Sequence, residues 1–248
     1  MIQSLNILKQ IFLMSIEKVL TSKIKPHLVI ARHHENLDWV REIEKFFSKI
    51  TIYDKGNKPF AGNILYDTVK LQNVGRECHT FLYHIIQNYA NLNEYTHILF
   101  CQGNPFDHCK DFTIKAISQK NYDANSFYFN DIGTHEINFY YEPMERIHPI
   151  GLPVYNFFYH LFFDTYMLKL PQSRNSMMIV PVKNILHRHR QFYKYLFQYL
   201  NKFKNPLEGH IFERLWVPIF DGKTKDWISH YYDQRTKFLG EWNNMKID

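Results

Sequence analysis

The spacing of apolar positions changes along the chain, and each change predicts an element. A short unbroken apolar run at residues 27–32 reads as a buried strand. Residues 36–47 then place Leu37, Val40, Ile43 and Phe47 on one helical face, with Asn36 or Glu35 beginning the helix. Residues 49–53 form a β-branched strand closed by the turn Asp54-Lys55-Gly56-Asn57, residues 76–89 an amphipathic helix, and residues 97–102 a third strand. This alternation predicts an α/β fold with a mostly parallel central sheet flanked by helices and joined by right-handed crossovers. The loops after Arg32, Tyr53 and Gln102 then lie on one edge, where open sheets of this kind bind ligands. Farther on, the pattern predicts a short strand at Phe127-Tyr128-Phe129, a loop at residues 142–153 and an aromatic stretch at residues 155–168. A late strand at 176–180 and a helix over 184–203 follow, then a helical segment over 209–220 that Pro218 breaks or nearly ends.

The N-terminal stretch carries Leu5, Leu8, Phe12, Ile16 and Val19 at helical spacing, interrupted by Lys9, Glu17 and Lys18. It is too charged and too short to span a bilayer, and it lacks the pattern of a secretory signal. The expected organisation is an amphipathic helix over residues 1–25 and a single α/β domain over residues 26–248. The helix packs on the domain; because Ile11, Leu13 and Met14 widen its apolar face, peripheral membrane contact or a partner contact is the alternative. The expected location is the cytoplasm, at a membrane surface if the helix docks there.

Composition narrows the class. A chain of 248 residues with 45% hydrophobic and 17% aromatic residues can bury a substantial core, which excludes disorder. Cys78, Cys101 and Cys109 are too few for a disulfide framework or a closed zinc site and suit a reducing compartment. The net charge of +6 favours anionic partners such as phosphates, nucleotides, nucleic acid or an acidic membrane, or simply solubility. With nine glycines and no Walker loop, GxGxxG turn or nucleophile elbow, the chain does not read as a P-loop or dinucleotide-binding protein. The densest candidate chemistry follows the third strand: Gly103 and Pro105 stop it, and Gln102, Asn104, Asp107 and His108 are delivered at its end.

Five blocks in order carry a family resemblance. They are Val29-Ile30-Ala31-Arg32-His33-His34-Glu35-Asn36-Leu37-Asp38-Trp39, Ile52-Tyr53-Asp54-Lys55-Gly56, Asn73-Val74-Gly75-Arg76-Glu77-Cys78-His79-Thr80, Gln102-Gly103-Asn104-Pro105 and Gly209-His210-Ile211-Phe212-Glu213-Arg214-Leu215-Trp216. Over about residues 28–220 the chain resembles the domain of unknown function 3431 family, which is similar to glycosyltransferases of the A-type fold that build viral and bacterial surface glycans. The resemblance implies transfer of a sugar from a nucleoside diphosphate sugar to a glycan acceptor, with inversion, in surface polysaccharide or glycan synthesis. In the first block it implies nucleotide contacts for Arg32, His33 and Asn36, the arginine forking onto phosphate oxygens; a strand-end surface arginine is the alternative. Asp54 then holds the nucleoside, or only forms the turn beside Gly56. Asn73, Gly75 and Arg76 open a helix whose free N–H groups and positive potential suit a diphosphate, or form a plain helix start with Glu77 against the dipole.

At the strand-end position such transferases usually carry Asp-x-Asp, which holds Mn²⁺ or Mg²⁺. Here Gln102-Gly103-Asn104 stands instead, and neutral amides are poor primary ligands for hard cations. Metal dependence is thereby in question, with Asp107 and His108 as the substitute ligands; Asp107 and Asp111 as caps of a helix near Phe112 are the alternative. The resemblance further implies Glu213 as the base that deprotonates the acceptor hydroxyl, with His210 and Trp216 contacting the acceptor. Against that stand a solvated Glu-Arg pair and a core tryptophan. The stretch His187-Arg188-His189-Arg190 reads as an exposed helix start or as a phosphate contact. Two other function classes stay open: a non-catalytic module binding a nucleotide sugar or glycan, and a basic nucleic-acid binder built on residues 192–204, where aromatics alternate with lysines at core-like spacing.

Overall fold

Leu28, Val29 and Ile30 are fully buried, as a central strand covered on both faces requires. In a computed structural model, which describes residues 24–57, 66–122, 128–129, 135–138, 154–162, 169–172 and 176–244, these residues lie on the first of eight described strands. The strands are β1 (Pro26–Arg32), β2 (Lys49–Asp54), β3 (Asp67–Lys70), β4 (His97–Gln102), β5 (Tyr128–Phe129), β6 (His135–Asn138), β7 (Lys169–Gln172) and β8 (Met178–Pro181). The chain divides into two compact units, one made of residues 1–73, 91–133 and 174–182, the other of residues 74–90, 134–173 and 183–248. Most of the expected N-terminal helix and the expected loop at 142–153 lie outside the described residues.

The first unit is built on a six-stranded sheet in the order β3-β2-β1-β4-β8-β5. β3, β2, β1 and β4 run parallel and β8 runs antiparallel to β4, so the sheet is mostly parallel as the alternation predicts. One apolar cluster covers a face of it, joining Leu28, Ile30, Ile52, Leu99 and Cys101 to Trp39, Val40, Ile43, Phe46 and Phe112. The long helix expected over 36–47 is shorter: a single turn over Val40–Ile43 runs into a 3₁₀ turn over Glu44–Phe46. Asn36 explains the late start, because its side chain both accepts from the Asp38 backbone N–H and donates to the Asp38 carboxylate, each at 2.8 Å. Such a local turn competes with helix.

His27 on β1 is 2% exposed, and its Nε2 lies 2.9 Å from the Thr51 hydroxyl of β2. Burial, helped by the Lys49 ammonium, pushes its imidazole down to about 3 from an ordinary 6.5. The folded state therefore stays neutral where the unfolded chain takes up a proton, and stability falls as pH drops through the interval between those two values. Between pH 7 and pH 5 the loss is about 2 kcal/mol. Urea unfolding at the two pH values measures it, and His27→Gln should flatten the dependence by that amount.

The second unit is helical, with helices over Val154–Leu161, Val182–Leu186, Arg190–Phe197, Leu207–Phe220 and Trp227–Asn244 added to Arg76–Asn88, and with β6 and β7 as an antiparallel pair. Phe81, Phe192, Tyr193, Leu196, Phe212, Trp216 and Phe220 are its fully buried centre. The helix expected over 184–203 is interrupted at residues 187–189, where Arg188 turns inward and His189 Nδ1 caps the next helix by accepting from the Gln191 N–H at 3.2 Å. Arg188 is 1% exposed, so the expected exposed basic helix start is corrected at that residue. Phe192 and Tyr193 are spent in the core, so the alternative nucleic-acid reading loses the stacking faces those two rings would supply.

Candidate functional site

Parallel register brings the chemistry of the first unit to one line. Ala31 pairs with Gln102, Arg32 with Asp54, and Asp54 with Lys70, so the carboxyl ends of β4, β1, β2 and β3 fall side by side. Asp54 is the centre of that line. Its Oδ1 accepts from Arg32 Nη1 at 2.6 Å and from the Gly56 N–H at 3.0 Å, and its Oδ2 accepts from Lys70 Nζ at 3.0 Å. Burial works to raise the Asp54 carboxyl, but the bonds from Lys70, Gly56 and Arg32 outweigh it and hold the group below its usual range. Arg32 is 6% exposed and also donates from Nε to the Glu35 carbonyl at 3.1 Å, so its guanidinium is turned into the protein. Lys70 is the outward cation of the set, its side chain 62% exposed, and its ammonium also donates to the Gly56 carbonyl.

The loop after β1 completes this edge. The Glu35 carboxylate accepts the backbone N–H groups of His33 and His34 at 2.6 and 3.0 Å, and the two imidazoles sit 3.7 Å apart, centre to centre. His33 Nε2 lies 2.9 Å from the Asn73 amide. Gly56 passes so close to the His33 carbonyl that a Cβ would come within 1.6 Å of its oxygen, so no side chain fits there. Trp39 Nε1 donates to the Gly103 carbonyl at 3.0 Å and fixes the exit of β4.

Gln102 and Asn104 stand at that exit as expected, but their polar groups serve the loop. Gln102 donates to the Asn104 carbonyl at 2.9 Å, and Asn104 Oδ1 accepts from the Phe106 N–H at 3.3 Å. Asp107 and His108 are exposed. Among the described residues no group of three His, Cys, Asp or Glu could hold a metal ion. Two neutral amides, one of which already gives its oxygen to the Phe106 N–H, are a poor primary donor set for Mn²⁺ or Mg²⁺.

The second unit gathers Arg76, Glu77, His210 and Glu213. Gly75 and Arg76 both have left-handed backbones, φ +62° and +51°, and begin the Arg76–Asn88 helix. A Cβ on Gly75 would lie 2.3 Å from the Leu200 carbonyl oxygen, which demands glycine. The turn aims Arg76 at the Leu207–Phe220 helix: Nη2 meets Glu213 Oε1 at 3.0 Å, and Nη1 lies 2.8 Å from His210 Nδ1. Arg76 Nε is 3.6 Å from Glu77 Oε2, so one guanidinium faces both carboxylates. Desolvation and the Glu213 charge raise the Glu77 carboxyl. Desolvation also works to raise Glu213, but His210 and Arg76 overcome it and hold that carboxyl low. Trp216, an expected acceptor platform, is fully buried between Phe212 and Phe220, and so packs the core.

A family model described as "Protein of unknown function (DUF3431)" matches residues 28–232. The chain belongs to the DUF3431 family. No curated protein and no solved structure matches it. In this DUF3431 chain, the expected nucleotide residues Arg32, His33, Asn36, Asp54, Asn73, Gln102 and Asn104 fall in the first unit. Gly75, Arg76, His210, Glu213 and Trp216 fall in the second. Sequence reasoning missed Lys70, which sits on a strand too polar to announce itself, and left Glu77 as a dipole partner only. Among the described residues no helix is long and apolar enough to cross a membrane.

Proposed function

We propose that this DUF3431 protein is a glycosyltransferase, moving a sugar from a nucleoside diphosphate sugar to a glycan acceptor with inversion at the anomeric carbon. The observation that carries the reading is the strand-end line of the first unit, where one buried carboxylate, Asp54, is held by two cations at the edge on which parallel sheets bind ligands. Lys70 and the His33–Asn73 pair are the groups offered to a diphosphate and a ribose, while Arg32 and Gly56 fix the carboxylate behind them. The acceptor half of the reaction follows from the family resemblance, which gives Glu213 of the second unit the role of base for the acceptor hydroxyl. The hydroxyl oxygen forms the new bond to the anomeric carbon, and the bond from that carbon to the diphosphate oxygen breaks. Its electron pair leaves on the nucleoside diphosphate. No metal enters this scheme, because the residues at the end of β4 do not fit one.

Calorimetry with UDP, GDP and ADP tests the nucleotide half. One of the three is expected to bind, and Lys70→Ala should weaken it about tenfold, the scale of one charge-assisted hydrogen bond. Absence of binding by all three at millimolar concentration would overturn the reading. A binding module without turnover is the second reading, and the neutral Gln102-Gly103-Asn104 turn favours it. Binding of a nucleotide sugar with no release of the nucleoside diphosphate, in the presence of varied glycan acceptors, would select that reading.

A further inference from the structure

The last helix, Trp227–Asn244, is pinned at its start and packed along one side. Asp226 holds the first turn, its Oδ1 accepting the Ser229 N–H at 2.7 Å while its Oδ2 accepts from Arg188 at 2.6 Å. Ser229 is buried and accepts the His189 N–H at 2.8 Å, and the Tyr232 ring stacks on that of His189 with centres 4.7 Å and planes 3° apart. The opposite side faces outward. At about 100° per residue, Trp227 and Tyr231 lie about 150° around the helix from Ser229 and Tyr232, and they are 53% and 59% exposed. The same spacing recurs in the sequence at Phe238 and Trp242, so one arc of the helix carries aromatic positions along its whole length. Arg235 borders that arc on one side, His230 and Lys237 on the other, and all three are exposed. Lys223 and Lys225, also exposed, stand just ahead of the first turn. Asp233 falls outside the arc and Glu241 inside it, so positive charge prevails along this face.

We propose that the Trp227–Asn244 helix is a docking surface for an anionic lipid bilayer, lying side-on with its aromatic arc at the level of the headgroups. Trp and Tyr are the residues that membrane interfaces favour, because each ring pairs an apolar body with a polar tip. The bordering cations complement the lipid phosphates, which their long side chains reach while the aliphatic stems stay on apolar surface. With Asp233, Arg235 and Lys237 in its middle the helix is not apolar enough to cross a bilayer, so the contact is with the surface. Two other occupants fit less well. A symmetric pair of copies joined along this face would set Arg235 and Lys237, at the middle of the helix, against their own counterparts. Single-stranded nucleic acid is held in basic grooves, and the outer side of one helix is convex. The proposal stands apart from the transferase reading, since it uses none of the residues assigned to the donor or the acceptor. It also concerns a different segment from residues 1–25, where the sequence places a peripheral membrane contact.

Sedimentation of the full chain with vesicles tests it, one set made of phosphatidylcholine alone and one of phosphatidylcholine mixed with phosphatidylserine. The mixed vesicles should carry the protein down with its tryptophan emission shifted to the blue, and high salt should release it. Trp227→Ala with Tyr231→Ala should weaken binding about tenfold or more, and Arg235→Gln with Lys237→Gln about 25-fold, near fivefold for each cation. All four positions are exposed, so the urea midpoints of both variants should match that of the unaltered chain. Failure to bind the mixed vesicles overturns the proposal, and so does equal binding to the two vesicle types. Binding that survives Trp227→Ala with Tyr231→Ala puts the contact on another segment and overturns it as well. A lipid-free dimer that the aromatic variant separates, or a single-stranded oligonucleotide that it releases, gives the face to a different occupant with the same consequence. No nucleotide enters these measurements, so the calorimetry with nucleoside diphosphates succeeds or fails independently of them.

Discussion

Replacing Asp226 by alanine is expected to destabilise the protein by about 3–5 kcal/mol, the cost of leaving a buried charge without its partner. Arg188 and Asp226 are each about 1% exposed at the side chain and meet at 2.6 Å. The guanidinium is boxed in further: Nε donates to the Ile219 carbonyl at 2.9 Å, Nη2 donates to the Pro218 carbonyl, and its carbon stands 5.1 and 5.0 Å from the ring centres of Phe162 and Phe192. Ile219 and Pro218 belong to the last turn of the Leu207–Phe220 helix, whose carbonyls have no intrahelical partners. Arg188 caps them, and Asn184 caps Phe220 at 2.8 Å. Without that carboxylate the buried cation is left with Asp221, whose Oδ1 lies at 3.9 Å from Nη2, as its remaining anion. Asp226→Asn, which can still accept the Ser229 N–H that Asp226 Oδ1 takes at 2.7 Å, should cost distinctly less. Both variants remove the charge, so urea midpoints decide it against the unaltered chain: an Asp226→Asn midpoint equal to that of the unaltered chain would show that the charge is not what matters.

Glu213→Gln should lower kcat by about 10²–10⁴, the contribution of a positioned general base. Glutamine keeps the size of the side chain and an acceptor for Arg76, so the fold should survive and nucleoside diphosphate affinity should stay within about twofold of the wild type. Release of nucleoside diphosphate under single-turnover conditions is the measurement. A rate indistinguishable from that of the unaltered chain would remove Glu213 from the chemistry.

Much of the sheet is legible from periodicity because its strands are buried on both faces and short. The predicted runs at 27–32, 49–53 and 97–102 fall on β1, β2 and β4 with at most one residue added at an end, and the predicted helix at 76–89 ends one residue early. β3 is different. Asp67-Thr68-Val69-Lys70 is an edge strand with no buried residue, so nothing in its hydropathy marks it, and Lys70 went unseen with it. Arg188 misleads for the opposite reason: a basic tetrapeptide reads as solvated, and only the distant Asp226 and the helix-end carbonyls make an interior place for it. For Glu77 a local reading is available and sufficient, a carboxylate against a helix dipole, so the sequence offers no reason to look for a second carboxylate well over a hundred positions away. Pairings distant in the chain are what a single sequence hides.

The left-handed backbone at Arg76 has a further meaning. Holding a side-chain-bearing residue there costs on the order of 1–3 kcal/mol, and glycine would occupy the same angles far more cheaply. The chain tolerates that penalty at the one position that delivers a guanidinium to two acids. A cheaper backbone would forfeit the cation, so main-chain comfort is surrendered there for charge placement: glycine at 76 would relax the turn but strand two largely buried carboxylates, and the strained arginine is the less costly arrangement.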